Sequence, residues 1–471
     1  MYSRIYLDAN PYEVRVAVVE DGNLAELYVE RKGKERTVGN IYKGKVKNVL
    51  PGMQAAFVDI GLERNAFLYA GDISIDAIDE EDSDGEEAGG KPVPDIKKLV
   101  KVGQEVMVQI LKEPFGTKGA RVTTNVTLPG YMTVLLPTAN YIGISRKIED
   151  EGERERLKGI LERIKPDGQG IIARTSAMGA TEAELAEQIN AQYEDYKTML
   201  RVYQESGAPS LVHSEEDIYH RTVRDAFSDE VGELLVSDKN AYVYIRSLVA
   251  GMRPHLLERV KLFSQPYDMF EHHGLEGRIQ KALMRRVQLK SGGYLVIDTA
   301  EALTVVDVNT GKYIGKNDLE ATIRKTNVEA AEEVARQLRL RDISGIIVVD
   351  FIDMEEAESR DRLMEVLREA VKRDRTRTVI LGMTDLGIVE ITRKKTKQSL
   401  ASIFYAPCPY CEGQGVILST ESMALRARKE VMKRYYEGTD DAIVIQASSA
   451  VCAEIVSKMR VDAVLIPPHP D

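Results

Sequence analysis

The chain has 471 residues, 43% hydrophobic and 30% charged, which suits about two to four domains with buried cores. Its 75 acidic and 64 basic side chains give a net charge of −11, and by itself that disfavours a nucleic-acid partner. Eight carboxylates and no Lys or Arg lie between Asp76 and Glu87, however, so the remainder carries only −3 and leaves room for local basic grooves.

The N-terminus lacks the apolar core of a signal peptide, and no apolar run approaches the length of a membrane-spanning helix. Three cysteines cannot build a disulfide framework, which makes a reducing, cytoplasmic setting the expectation. Residues 14–19 and 24–29 alternate as strands around the hairpin signal Asp21-Gly22. Short, Gly-punctuated strands from Val38 to Val122 suggest a small barrel, interrupted by an acidic loop from Asp76 to Pro94. Strands at 133–136 and 170–175 bracket a helix near 149–164, and a longer helix covers about 182–204. Residues 217–272 mix helix and strand and could supply partners for the N-terminal hairpin. After Gly292-Gly293 the pattern sharpens to strand, helix, strand, helix, and the tail beyond Gly415 reads as a small α/β piece.

The first chemical signal is a pair of acids. Residues 303–309 form a buried strand carrying Asp307 and Asn309, and residues 345–350 form another ending in Asp350. The helix between them, with Asn317 as its N-cap and Glu320 as the capping-box partner, makes a β-α-β unit with parallel strands. Neighbouring strands lie about 4.8 Å apart, so one hard cation could bridge both carboxylates at the carboxyl edge. Such an ion suits phosphodiester hydrolysis, with Asn309 orienting a carboxylate or water. The alternative is that each aspartate merely ends a strand; Asp353 is read that way, as a helix cap.

Two other groups stand out. Lys43, Lys45 and Lys47 alternate along one strand, with Phe57, Phe67, Lys118 and Arg121 nearby. Cations beside aromatic platforms suit single-stranded RNA, although the ordinary reading of a phenylalanine in a strand, favoured on sequence alone, is that both are core. Cys408-Pro-Tyr-Cys411, followed by glycines, offers two thiolates to a zinc ion, and with no second pair in the chain two chains could share one ion. A redox pair or two unliganded thiols are the alternatives.

Together these segments resemble the ribonuclease E/G family over nearly the whole chain. The most specific are Val306-Asp307-Val308-Asn309-Thr310-Gly311, the run from Ala335 to Asp342 followed by Asp350-Phe-Ile-Asp353-Met354, and Cys408-Pro-Tyr-Cys411. The resemblance implies a multi-domain α/β architecture: an RNase H-like piece (1–37 and 219–282) split by an S1, OB-type barrel (38–124) and a 5′-sensor region (125–218). A DNase I-like catalytic subdomain (283–403), a zinc-link (404–415) and a small C-terminal domain (416–471) follow. It implies a magnesium-dependent endoribonuclease acting on single-stranded RNA, commonly with a 5′ monophosphate, in rRNA processing and mRNA decay. By motif, Asp307 and Asp350 become Mg2+ ligands supported by Asn309, and Phe57, Phe67 and Lys118 the RNA contacts of the barrel. Arg174 and Thr175 become the binders of the terminal phosphate, with Gly130, Val134 and Arg146 around them. Cys408 and Cys411 become half of an intersubunit Zn2+ site in a homodimer, which could pair again into a dimer of dimers. The lack of a membrane-binding amphipathic segment and of a long scaffold tail points to the shorter, G-type members. The early end at Asp471 suggests a divergent or truncated tail. Retention of Asp307, Asn309 and Asp350 together argues against a non-catalytic RNA adaptor. The barrel and Arg174-Thr175 argue against a phosphoesterase for DNA or small diesters.

Overall fold

The computed structural model describes residues 2–33, 36–73, 94–114, 118–311, 319–384, 386–438 and 443–459. The acidic segment and Asn317 lie outside them. The chain divides into one unit over residues 1–403 and a second over 404–471.

The first unit opens with β1 (Ser3–Ala9), which pairs antiparallel with β2 (Glu13–Glu20), and β2 with β3 (Asn23–Arg31). At the β2–β3 turn Asp21 and Gly22 both have positive φ, 46° and 80°, which the two-residue primed hairpin requires. Strand β1 was not foreseen, because its apolar residues are nearly continuous rather than alternating: it is buried on both faces.

A barrel follows. Strands β4 (Ile41–Leu50), β5 (Ala55–Asp59), β6 (Ala66–Tyr69), β7 (Glu105–Lys112) and β8 (Arg121–Thr123) run in the order β4-β5-β6-β8-β7, and a β4–β7 pairing closes the ring. Val46, Val58, Leu68, Val108 and Val122 fill it. Next, β9 (Leu128–Pro129), β10 (Thr133–Leu136), β11 (Ile142–Ile144) and β12 (Gly170–Ala173) form a small sheet, in the order β11-β12-β10-β9. Helices α1 (Glu151–Ile164) and α2 (Glu182–Glu205) cover it, and α2 begins at a Thr181/Glu184 capping box. The chain returns to the barrel through β13 (Ser210–His213), which pairs with β4.

Strands β14 (Val231–Val236) and β15 (Val260–Leu262) then complete the first sheet, β14 lying parallel to β1. The N-terminal hairpin thus gains its partners more than two hundred residues downstream. Helix α3 (Lys239–Met252) packs on that sheet through Ala241, Ile245 and Val249.

The last sheet of the unit holds β16 (Arg286–Gln288), β17 (Tyr294–Thr299), β18 (Leu303–Asn309), β19 (Gly345–Asp350), β20 (Thr378–Met383) and β21 (Ile388–Arg393), in the order β16-β17-β18-β19-β21-β20. Helix α4 (Leu319–Arg341) links β18 to β19, and α5 (Ala357–Val371) packs beside it over a core of Val306, Ile347, Val349, Leu363 and Leu367. In the second unit α6 (Thr420–Glu437) and α7 (Ser449–Met459) share a small core of Ala424, Val451 and Ile455. Among the described residues this unit is helical, not the α/β piece expected. The apolar run at 443–445 forms no strand there. No described helix is long and apolar enough to cross a membrane.

The last sheet's helix layer is tied to the N-terminal sheet by charge. Arg339, on α4, is buried and donates to Glu20 at 2.6 Å and Glu26 at 2.7 Å, and Arg336 donates to the Leu24 carbonyl. Burial pushes the Glu26 carboxyl up, but the Arg375 and Arg339 guanidiniums overcome it and hold it down at about 2. A depressed carboxyl contributes stability in full above its unfolded pKa, and loses it as pH falls through the folded one. We therefore expect an acid-sensitive seam, weakening from about pH 4 downward, and an Arg339→Met variant should lose about 3–5 kcal/mol in urea unfolding at pH 7. A loss below about 1 kcal/mol would show that water, not Arg339, satisfies the two glutamates.

Candidate active site and nucleic-acid interface

Strands β18 and β19 are parallel neighbours, and their register sets Asp307 directly opposite Asp350. Alternation along β18 sends Val306 and Val308 into the core and leaves Asp307 exposed; Asp350, at the end of β19, is exposed too. Asn309 lies two residues on, on the same face, and its Nδ2 donates to Asp307 Oδ2 at 2.8 Å. Among the described residues no third acid, histidine or cysteine joins the pair. A hard, oxygen-seeking cation fits this donor set, the remaining positions falling to water and a substrate phosphate.

One support was not legible in sequence. Asn327, fully buried on α4, accepts from the Ile352 amide at 3.1 Å and donates to the Ile352 carbonyl at 2.7 Å. It pins the chain two residues after Asp350. Asp353, read as a cap, is not one: α5 begins at Ala357 with Glu356 in the N-cap position and no capping side chain. Asp353 is instead exposed on the loop leading from β19, close to Gly387.

On the barrel, Phe57 and Phe67 face each other across β5 and β6, with ring centroids 6.1 Å apart and planes at 69°. Their sequence neighbours Ala56, Val58, Ala66 and Leu68 fill the core, so the two rings stand on the outer face, half-buried. The core alternative therefore fails for both. Lys118 is exposed beside them; the next residue must be Gly119, because a Cβ there would sit 2.1 Å from the Asn65 carbonyl oxygen. The three alternating lysines do not act together. Lys43 is buried, donating to the Tyr203 and Ser206 carbonyls and pairing with Glu105 at 3.0 Å. It fastens β4 to the end of α2 rather than facing solvent. Lys47 pairs with Asp59 at 3.2 Å, and Arg121 forks onto Asp72. Lys45 stays exposed.

Arg174 leaves the end of β12 and donates to the Gly130 carbonyl at 2.6 Å and to Asp225 at 2.7 Å. The Thr175 hydroxyl lies 3.3 Å from that of Ser145, next to exposed Arg146, and Val134 pairs with Ile172 on β12. Four of the five expected residues thus gather at one end of this small sheet, with Val134 on the adjoining strand. Asp225 was missed, since it comes from a π-helical turn at Thr222–Ala226 far along the chain. Burial pushes its carboxyl up, but Arg224 and Arg174 more than offset this and hold it below the usual range.

In the second unit Cys408 is exposed, and its thiol is pulled down by the Cys411 and Tyr410 amides and by the Cys411 side chain. The Gly415 amide donates to Cys411 Sγ at 3.3 Å. Amides directed at two sulfurs suit a thiolate-bound soft metal, and zinc fits this half-site. Cys452 lies on α7 and bonds to the Ala447 carbonyl instead.

Residues 127–396 match the model of the Ribonuclease E/G family, and residues 35–123 that of the S1 RNA binding domain. The chain is 39% identical over 456 residues to "Ribonuclease G" of Haemophilus influenzae and 40% identical over 454 residues to "Ribonuclease G" of Escherichia coli K12, in both covering 96% of this chain and 92% of the relative. It is 37% identical to "Ribonuclease E" of Escherichia coli K12 over 88% of this chain and 38% of that longer protein.

Asp307 is exposed, so Asp307→Asn should leave the thermal midpoint within about 2 °C of the parent. A fall of several degrees would assign the carboxylate to the scaffold.

Proposed function

The chain belongs to the ribonuclease E/G family and is an endoribonuclease; we propose that it hydrolyses single-stranded RNA with magnesium held by Asp307 and Asp350, preferring 5′-monophosphorylated ends. The observation that carries this reading is the register pairing of the two aspartates on parallel neighbouring strands, with Asn309 fixing one of them. When bound, the ion would stabilise charge on the scissile phosphate and acidify a water. The protein's own part is positional. Asn309 holds one carboxylate by hydrogen bond, Asn327 holds the loop behind the other, and a sheet two strands deep on either side keeps both from moving apart.

The outward Phe57 and Phe67 would stack bases while Lys118 draws the backbone, and neither contact selects sequence. Arg174 would present its guanidinium to a terminal phosphate, with the Thr175 hydroxyl completing the contact. Asp225 keeps that guanidinium aimed. Cys408 and Cys411 would hold half of a zinc site completed by a second copy, giving a homodimer. Free thiols and RNA substrates fit a cytoplasmic setting.

With magnesium, the protein should cut a short single-stranded RNA internally, and Asp307→Asn and Asp350→Asn should remain folded with activity down at least about a thousandfold. Full activity in either would remove the metal assignment. An RNA ending in 5′-hydroxyl should be cut more slowly than its monophosphate form, and Asp225→Asn should shrink that ratio while leaving 5′-hydroxyl cleavage unchanged; equal rates on both RNAs in the parent would end the sensor claim. For the zinc half-site, Cys408→Ser or chelator should convert dimers to monomers by light scattering. An unchanged mass would rule out the shared ion.

A further inference from the structure

Between the first sheet, the π-helical turn and the chain after β21 lies a half-open cavity of about 510 Å³. Seven cationic and four anionic side chains line it among the described residues. The four acids are already engaged. Glu30 pairs with Arg221, Asp225 with Arg174 and Arg224, and Asp342 with Arg393; Glu113 accepts from the Thr37 amide and the Gln398 side chain. Three cations are not. Among the described residues Arg36, Arg375 and Lys397 have no carboxylate within ion-pair distance, although Arg375 acts on Glu26 from farther off, and Arg36 buries an Nε with no hydrogen-bond partner. Lys397 lies 4.1 Å over the Tyr28 ring, and Arg375 is surrounded by protein yet still solvent-accessible, as a side chain facing an open recess is.

A fold that retains three cations without ion-pair partners of their own at one half-open recess leaves room there for an anion. A surplus of three positive charges matches a ligand with two or three negative ones. Guanidinium forks match phosphate oxygens better than a lone carboxylate, and the volume is that of a small-molecule site rather than a strand-binding groove. Leu27, Ile218 and Leu400 add apolar wall. We propose that this cavity binds a free, nucleotide-sized phosphate ester or diphosphate through Arg36, Arg375 and Lys397.

The proposal is tested by calorimetry and thermal melts of the full chain with AMP and with inorganic pyrophosphate. At least one should bind and raise the thermal midpoint; adenosine should do neither. Arg375→Gln and Lys397→Met should each weaken binding at least about tenfold, as expected for a lost charge-assisted contact, whereas Arg163→Gln on the outer surface should not. Without ligand, Lys397→Met should melt at or above the parent's temperature, because burial disfavours the Lys397 charge. No binding by either probe, binding indifferent to both variants, or a clear drop in the unliganded melting temperature of Lys397→Met would overturn the assignment. So would displacement of AMP by a 5′-monophosphorylated oligoribonucleotide but not by its 5′-hydroxyl form, which would give the site to an RNA end.

Discussion

The buried ion pairs made by Arg339 are the constraint on which the molecule's arrangement depends. Helix α4 is the crossover of the β-α-β unit, so its inner face sets the spacing of β18 and β19, while Arg336 and Arg339 on another face grip β2 and β3. One helix therefore carries both the parallel pairing that juxtaposes Asp307 with Asp350 and the attachment to the N-terminal sheet. That sheet is itself incomplete until β14 arrives, after the barrel and the small sheet have been made. The charged contacts have a geometric consequence: forked guanidinium–carboxylate bonds tolerate little sliding, so the sheets are fixed in register as well as proximity. Arg393 repeats the device at the other end of β21, buried between Asp342 and Asp374.

How much of this could be read beforehand follows from how local each signal is. Asp307, Asn309 and Asp350 were legible because strand alternation and the helical crossover between them are properties of a short stretch of chain. The Asp21-Gly22 hairpin was legible for the same reason. Asp353 misled, since acids followed by a helix look alike whether or not the side chain reaches the first turn, and here the N-cap position falls to Glu356 rather than Asp353. Lys43 misled more instructively. Its spacing relative to Lys45 and Lys47 is correct for one strand face, but at Lys43 alone that face is covered by the end of α2, through carbonyls 160 and 163 residues downstream. Asp225 and Asn327 carried no signal at all: each matters only for a partner that folding brings to it.

The aromatic pair on the barrel shows how structure decides between readings that composition leaves open. Phenylalanine in a strand is ordinarily core, and the barrel's interior is already filled by small and branched residues at alternate positions. With Ala56, Val58, Ala66 and Leu68 turned inward, period-two geometry leaves Phe57 and Phe67 no place except outside. Two rings edge to face on the outer surface of the barrel are available to the base stacking proposed for them.

Net charge is the property that most misrepresents this protein. A value of −11 describes a sum, while binding depends on where charges stand and whether they are already satisfied. Most cations at the seams are neutralised by carboxylates a few ångströms away, and these contribute stiffness and little long-range field. Other cations stand exposed on the surface, Lys45 and Lys118 on the barrel and Arg146 beside Thr175 among them. The acidity that seemed to argue against a nucleic-acid partner is therefore a sum that does not preclude local cationic faces, and a polyanion responds to the local field rather than to the sum.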